Sequence, residues 1–187
     1  ALRPSTESER TRGGSLGFSI LKAPPCSSTK SIVMPFARRA ARTAEYASVL
    51  RTLWRDDVAT FHGEFVDVEC VRVNPKPLRH RSIPIILGGN ADVALRRIAR
   101  WGDGWYGFNL DDVASVAERM VVLQRLCEEQ GRDRSDLRIA VALRDPQPHD
   151  VGALAELGVD ELVIVDSPPA DAHRVDEWVA RLAARYM

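Results

Sequence analysis

The chain has 187 residues, of which 45% are apolar, so it is long enough to bury a hydrophobic core in one main domain. Its 26 basic and 26 acidic residues balance, which argues against a nucleic-acid or membrane-surface partner. No apolar run approaches the roughly 20 residues that span a bilayer, and the N-terminus lacks the apolar stretch of a signal peptide. We therefore expect a soluble, cytoplasmic protein.

Residues 1–35 differ in composition from the rest of the chain. They are rich in Ser, Thr, Pro, Gly and Arg, and their one weak apolar patch lies at 16–21. Such composition is typical of turns and linkers. We expect a poorly ordered or atypical segment with at most one short strand, followed by a domain over 36–187.

The domain begins with a predicted helix over 36–55, in which apolar residues recur at helical spacing and arginine and glutamate lie opposite. The apolar face consists of Ala40, Ala44, Ala47, Leu50 or Arg51, and Trp54. Residues 59–78 then alternate apolar and polar side chains around His62-Gly63-Glu64 and end at Asn74-Pro75. This pattern predicts a small hairpin or an extended excursion.

Four apolar runs follow, and a predicted amphipathic helix comes after each of them. The pairs of run and helix are 83–87 with 91–101, 104–108 with 111–130, 138–143 with 150–157, and 161–165 with 171–186. This alternation predicts α/β structure with parallel βα units. Spacing alone leaves open whether they form an open doubly wound sheet or half of an eight-unit barrel.

The first run ends in Gly88-Gly89-Asn90, at the carboxyl end of a predicted strand. Ligands bind at this end of parallel sheets, glycines admit a close approach, and a helix start attracts anions. A cofactor phosphate would suit the place, with Asn90 or Asp92 as the helix N-cap. The alternative is that the two glycines only form a tight turn, and the spacing is not that of a Rossmann fingerprint.

The wider pattern PIILGGNADVALRRIARWGDGWYGF (84–108) resembles the luciferase-like family of flavin- and coenzyme F420-dependent oxidoreductases. Other segments resemble that family in the same order. These are ARTAEYASVLRTLW (41–54), FHGEFVDVECVRVNPKPL (61–78), EEQGRDRSDLRIAVAL (128–143) and GVDELVIV (158–165). The resemblance covers about 36–187 and implies the last four strands of a TIM-barrel-like fold.

The resemblance also implies a cofactor site, with Leu87, Gly88, Gly89 and Asn90 on the phosphate side. Arg144, just after the run 138–143, would face the same rim and meet an anion, and the alternative is a solvated or structural arginine. The resemblance places Trp105 and the segment 106–108 at or beside the ligand-facing end of the next strand, and the simpler interpretation of the GDGW turn is that Trp105 packs in the barrel wall. The implied cofactor is F420, with FMN as the alternative, and the partner is a small organic substrate.

No catalytic residue or metal site emerges from the remaining polar residues. The histidines at 62, 80, 149 and 173 lack metal-ligand or triad spacing, as do the three widely spaced cysteines. The carboxylate pairs at 56–57, 111–112 and 128–129 are typical of helix boundaries. We predict that the histidines are solvated or structural and that the carboxylate pairs are helix-boundary or exposed-face charges.

The part of the chain that resembles the family does not include the barrel's first four strands. A half-barrel exposes strand edges and an apolar interior, so it needs a partner to remain in solution. The first explanation is a truncated or frame-disrupted gene product, and the alternatives are a fragment completed by another chain and a half-barrel that forms a homodimer. The leading hypothesis is an F420- or FMN-dependent oxidoreductase that transfers hydride. The alternatives are a catalytically silent remnant or interaction module, and a different phosphate-binding α/β enzyme.

Overall fold

The computed structural model describes residues 37–78 and 82–186. The segment predicted to be poorly ordered, the possible strand at 16–21 and His80 lie outside these residues. From Arg38 onward the chain forms one compact unit. None of the described helices is both long and apolar enough to cross a membrane.

The first helix and the hairpin confirm the predictions for 36–78. Helix α1 spans Arg39–Arg55, and strands β1 (Ala59–His62) and β2 (Asp67–Val71) pair antiparallel. The predicted apolar face of α1 is only partly correct, because the buried residues are Ala47 and Val49. Leu50 is exposed, since the helix packs mainly against the hairpin rather than against a continuous core.

The turn of the hairpin is held by Glu45 of α1. Its carboxylate accepts hydrogen bonds from the backbone N–H groups of Glu64, Phe65 and Val66 at 3.0, 2.6 and 2.7 Å. Gly63 leaves room for this carboxylate, because a Cβ there would lie 2.3 Å from Glu45 Oε1. The sequence His62-Gly63-Glu64 is therefore required by a contact with a helix about 20 residues earlier.

Acid should weaken this contact. Desolvation raises the pKa of the Glu45 carboxyl, but the hydrogen bonds from Phe65, Val66 and Glu64 together lower it below the ordinary value of 4.5. A lowered folded-state pKa gives stability that is present above pH 4.5 and lost as the pH falls through the folded value. We expect Glu45→Gln to lower Tm by a few degrees at pH 7 and by less at pH 3. Thermal melts at both pH values, with exposed Glu118→Gln as the control, measure the difference; equal losses at both would contradict it.

The second part of the domain is a four-stranded parallel sheet in the order β3-β4-β5-β6. The strands are β3 (Ile86–Gly88), β4 (Gly104–Leu110), β5 (Arg138–Leu143) and β6 (Glu161–Leu162). The connecting and final helices are α2 (Asp92–Trp101), α3 (Val113–Glu129), α4 (Asp150–Glu156) and α5 (Val175–Tyr186). Every predicted βα unit is present, so the α/β class is confirmed.

Two strands and one helix differ from their predicted form. β3 begins three residues later than the run at 83–87, and β6 covers only two residues of the run at 161–165, although the Val163 N–H also donates to the Val141 carbonyl of β5 at 2.7 Å. None of the residues of α5 is fully buried, and Val179 is 51% exposed. The apolar pattern of α5 is correct, but the described residues leave an open apolar cavity of about 520 Å³ between it, β6 and α4.

The two faces of the sheet have different surroundings. The hydrophobic core lies between the sheet and helices α2 and α3, with alternate strand residues pointing into it. These include Trp105, Ile139 and Val141, all fully buried. On the opposite face lie Ile86 and Phe108, which are 37% and 52% exposed. In a barrel a face of this kind would line the interior.

The amino ends of the strands are fastened by two aspartates in equivalent positions. The Asp103 carboxylate accepts the Ile85 N–H at 2.8 Å, and the Asp160 carboxylate accepts the Ile139 N–H at 2.7 Å. Each aspartate directly precedes a strand, and it bonds to the residue just before β3 in the first case and to a residue of β5 in the second. Asp103 also accepts from Arg51 of α1 at 2.7 Å. The aspartate of GDGW is therefore a structural fastening at the end of the sheet opposite the Gly88 loop.

Candidate functional site

The loop between β3 and α2 starts at the carboxyl end of the sheet, as predicted. Gly88 pairs with Tyr106 of β4, and the nearest atom to a Cβ built on it is the Tyr106 carbonyl oxygen, 3.9 Å away. The open face beside Gly88 is therefore unfilled by the described residues. Gly89 adopts φ +121°, a conformation that favours glycine, and a Cβ there would lie 2.8 Å from the Ala94 Cβ. The two glycines thus have different roles.

Two side-chain hydrogen bonds fix the loop to β4. The Trp105 indole N–H donates to the Gly89 carbonyl at 3.0 Å, and the Asn90 side-chain amide donates to the Phe108 carbonyl at 2.8 Å. The Asn90 Oδ1 atom is buried and has no hydrogen-bond partner among the described residues. The Asn90 side chain is therefore turned toward β4, and its backbone N–H has no acceptor among the described residues.

The start of α2 differs from the prediction. The N-cap residue is Ala91, whose side chain cannot cap the helix, so neither Asn90 nor Asp92 is the N-cap. The Ala91 carbonyl accepts from Ala94 and Leu95. Within the described residues, no acceptor meets the backbone N–H groups of residues 90–93. An uncapped helix start of this kind offers donors and the positive end of the helix dipole.

A carboxylate also lies at this helix start. Asp92 occupies the first turn, where its negative charge would oppose a bound anion. Arg119 of α3 donates to the Asp92 carboxylate at 2.9 Å. This ion pair offsets the charge of Asp92, so the loop is not closed to an anion. Sequence reasoning missed Arg119 because its partner lies 27 positions earlier.

The other predicted site residues are placed less directly at the loop. The Leu87 side chain packs against the core, so only its backbone borders the site. Arg144 follows β5, is exposed, and forms an ion pair with Asp111 at 2.9 Å. It lies two strands from the loop and would have to release Asp111 to meet an anion. Cofactor binding by these residues stays a prediction.

Trp105 is fully buried in the core, which confirms the simpler interpretation of the GDGW turn. Tyr106 and Phe108 of β4 lie on the opposite, open face of the sheet, with ring centroids 6.0 Å apart. They form an aromatic surface next to Gly88. The sequence placed the segment 106–108 near the ligand-facing end of this strand, but only the strand register shows that the two rings border the glycine.

The remaining polar candidates have structural or solvent-exposed positions. His62 and His149 lie beside Asp67 and Asp150, and both are exposed, as is His173. Asp112 is the N-cap of α3, and hydrogen bonds from Ser115 lower the pKa of its carboxyl, as expected for a helix-boundary residue. Burial raises the pKa of the Cys127 thiol, which is part of the core. The described residues contain no cluster suited to a metal ion.

The family of the chain follows from comparison with known proteins. The model of the luciferase-like monooxygenase family matches residues 23–145, a range that includes the Gly88 loop, GDGW and Arg144. The chain belongs to the luciferase-like monooxygenase family. The family resemblance found in the sequence is thereby confirmed, and the parallel sheet is a partial form of this family's barrel-like α/β fold.

Two curated proteins illustrate how similar known sequences are to the chain. The uncharacterised protein Rv0940c of Mycobacterium tuberculosis is 34% identical over 155 residues, which cover 81% of this chain and 51% of the relative. Pyrimidine monooxygenase RutA of Allorhizobium ampelinum is 26% identical over 113 residues, which cover 59% of this chain and 30% of RutA. The chain spans about half the length of the first of these curated relatives.

Among solved structures, a coenzyme F420-dependent tetrahydromethanopterin reductase from Methanopyrus kandleri is similar, with a TM-score of 0.47 and 12% identity. The alignment covers 79% of this chain and 45% of the reductase. A monooxygenase from Streptomyces bottropensis has the same TM-score with 15% identity, over 80% of this chain and 43% of the monooxygenase.

Proposed function

We propose that this luciferase-like chain binds coenzyme F420, with FMN as the alternative, and takes part in hydride transfer to or from a small organic substrate. The observation that carries the proposal is the loop over residues 88–93. It combines open space at Gly88 with backbone N–H groups that no described residue accepts. Both features lie at the carboxyl end of a parallel sheet, where such folds bind ligands.

The residues at the loop fit the phosphate side of such a cofactor. The N–H groups of residues 90–93 are hydrogen-bond donors, and phosphate oxygens are acceptors. The ion pair between Asp92 and Arg119 reduces the repulsion that a bare carboxylate would cause. Arg144 would add a positive charge at the rim if its pair with Asp111 opened. The charges and donors are thus compatible with an anionic group.

The open face would receive the ring portion of the same cofactor. Gly88 leaves space on that face, and the exposed ring of Phe108 offers an apolar surface next to it. When bound, the ring system supplies the hydride chemistry. The chain's own residues bind the cofactor, orient it and keep water from one side of it. No described residue is assigned as a catalytic acid or base.

The wall opposite this face would come from a second polypeptide. The exposed side chains of Ile86 and Phe108 would be covered by a second copy of the chain or by a complementing chain. This part of the proposal predicts a solution mass greater than that of the 20.8 kDa chain.

Titration of the purified chain with F420 and with FMN, followed by fluorescence, tests the function. We expect a micromolar Kd for one of the two and at least a tenfold weaker Kd for Gly88→Val. The valine enters open space, so the fold should be retained. Ala155→Val, at an exposed position of α4, is the matched control and should bind as the unmodified chain does.

Two results would count against the proposal. If Gly88→Val bound the cofactor as tightly as the unmodified chain, the site would lie elsewhere. If the folded chain bound neither cofactor, alone or as an oligomer, the alternative of a catalytically silent remnant or interaction module would replace it. Circular dichroism and the mass in solution, recorded on the same samples, separate loss of binding from loss of folding.

A further inference from the structure

Trp105 makes one polar contact from inside the hydrophobic core. Its side chain is fully buried among apolar residues of α2, α3 and β5. The indole N–H donates a hydrogen bond to the Gly89 carbonyl at 3.0 Å. The bond joins the middle of the core to the second glycine of the ligand loop, 16 positions earlier in the chain.

This bond determines the direction of the next N–H group. In a trans peptide the C=O and N–H groups point in opposite directions. Because the Gly89 carbonyl points at the indole in the core, the N–H of Asn90 in the same peptide points away from the core. The Gly89 N–H makes a longer bond to the Tyr106 carbonyl, at 3.4 Å, so the contact with Trp105 is the closer restraint.

The conformation of Gly89 makes such a restraint necessary. Gly89 has φ +121°, a region that other residues rarely enter. Glycine also has access to more backbone conformations than any other residue. Without a partner for its carbonyl, the peptide between Gly89 and Asn90 would be free to rotate. The donor from Trp105 selects one of the available orientations, and the bond from the Asn90 side chain to Phe108 holds the following residue.

We propose that Trp105 is a positioning residue for the ligand loop, and that its indole N–H keeps the Asn90 N–H directed at an anionic ligand. The identity of the ligand rests on the proposed function. The orientation of the Gly89–Asn90 peptide by the Trp105 N–H does not depend on any cofactor. It assigns the tryptophan of GDGW a role beyond core packing. Trp105 does not touch the ligand and acts through the Gly89 peptide.

Trp105→Phe removes the N–H and keeps an aromatic side chain in the core. Ile139→Val and Val141→Ala are matched controls, because both residues are fully buried in the same core and neither side chain bonds to the loop. The Tm of each variant is measured, so that an effect on the loop can be distinguished from a general loss of stability. Two quantities are measured on the full chain: the Kd for F420 and FMN, and NMR-resolved hydrogen exchange at the Gly89 and Ala94 amides.

We expect Trp105→Phe to weaken the Kd about 3- to 10-fold, as for loss of one hydrogen bond. We also expect exchange at Gly89 and Ala94 to rise about tenfold, with neither effect in the controls. Gly89→Ala should weaken binding through the same peptide. Adding Trp105→Phe to Gly89→Ala should then cause little further loss, because the two changes are coupled.

The outcomes separate this inference from the proposed function. If Trp105→Phe matches the controls in both measurements, or if exchange rises while the Kd is unchanged, the positioning role is wrong. If the unmodified chain binds neither cofactor, the proposed function fails, and exchange alone decides. Faster exchange confined to Trp105→Phe would then support the hold on the loop, and unchanged exchange would overturn it.

Discussion

Gly104→Ala should be the most damaging single-methyl change in the described part of the chain. A Cβ at this position would lie 2.3 Å from the Arg138 carbonyl oxygen and 2.5 Å from the Ile86 Cδ1. The first contact is with the backbone of β5, which pairs with β4 at this residue and cannot move away alone. We expect a loss of at least about 3 kcal/mol of unfolding free energy, at the upper end for overpacked sites.

Urea unfolding of Gly104→Ala measures this loss, and Gly152→Ala is the matched control. Gly152 lies in α4, and nothing lies within 4 Å of a Cβ built on it. The same methyl group should there stabilise the protein by roughly 0.5–1 kcal/mol, because alanine favours helix over glycine. Similar stabilities of the two variants would show that β4 and β5 are not packed as closely as described.

Asp103→Ala should have the next largest effect. It removes the acceptor of the Ile85 N–H at 2.8 Å and the ion-pair partner of Arg51 at 2.7 Å. Hydrogen bonds to charged groups contribute about 1.5–3 kcal/mol, and the exposed part of the ion pair adds little. We therefore expect a loss of about 2–3 kcal/mol, which corresponds to a fall in Tm of roughly 4–12 °C for a chain of this size.

The control for Asp103→Ala is Glu118→Ala, at an exposed position of α3, which should change Tm by less than about 2 °C. Asp103→Asn should fall between them, because the amide oxygen still accepts from Ile85 while the charge is lost. Calorimetry of the three variants tests the order. If Asp103→Ala had the same Tm as Glu118→Ala, the hydrogen bond from Ile85 to Asp103 would not contribute to stability.

The extent of the elements was predictable where periodicity reflects a single buried face. Helices α2 and α3 and strand β5 lie where the spacing places them, because each packs one face against the same core. The prediction was less accurate for β6 and α5, whose apolar residues are only partly covered by the described part of the chain. A pattern of apolar residues identifies a face that favours burial, but the neighbouring elements decide whether it is buried.

The candidate site was predictable only in part. Two glycines after an apolar run indicated a ligand loop, since that pattern reflects local backbone geometry. The roles of Trp105, Arg119 and Asn90 were not evident, because each depends on a partner 16 to 27 positions away. Hydrogen bonds at that separation leave no periodic trace in a single sequence.

The sequence by itself determined the α/β class, the four βα units, the position of the glycine loop and the family, because all four follow from local order along the chain. The tertiary structure decided which groups of that loop face outward. Trp105 directs one peptide, the Asn90 side chain turns toward β4, and Ala91 leaves α2 uncapped. These orientations arise from contacts between β3, β4 and α2, which exist only after the strands have paired.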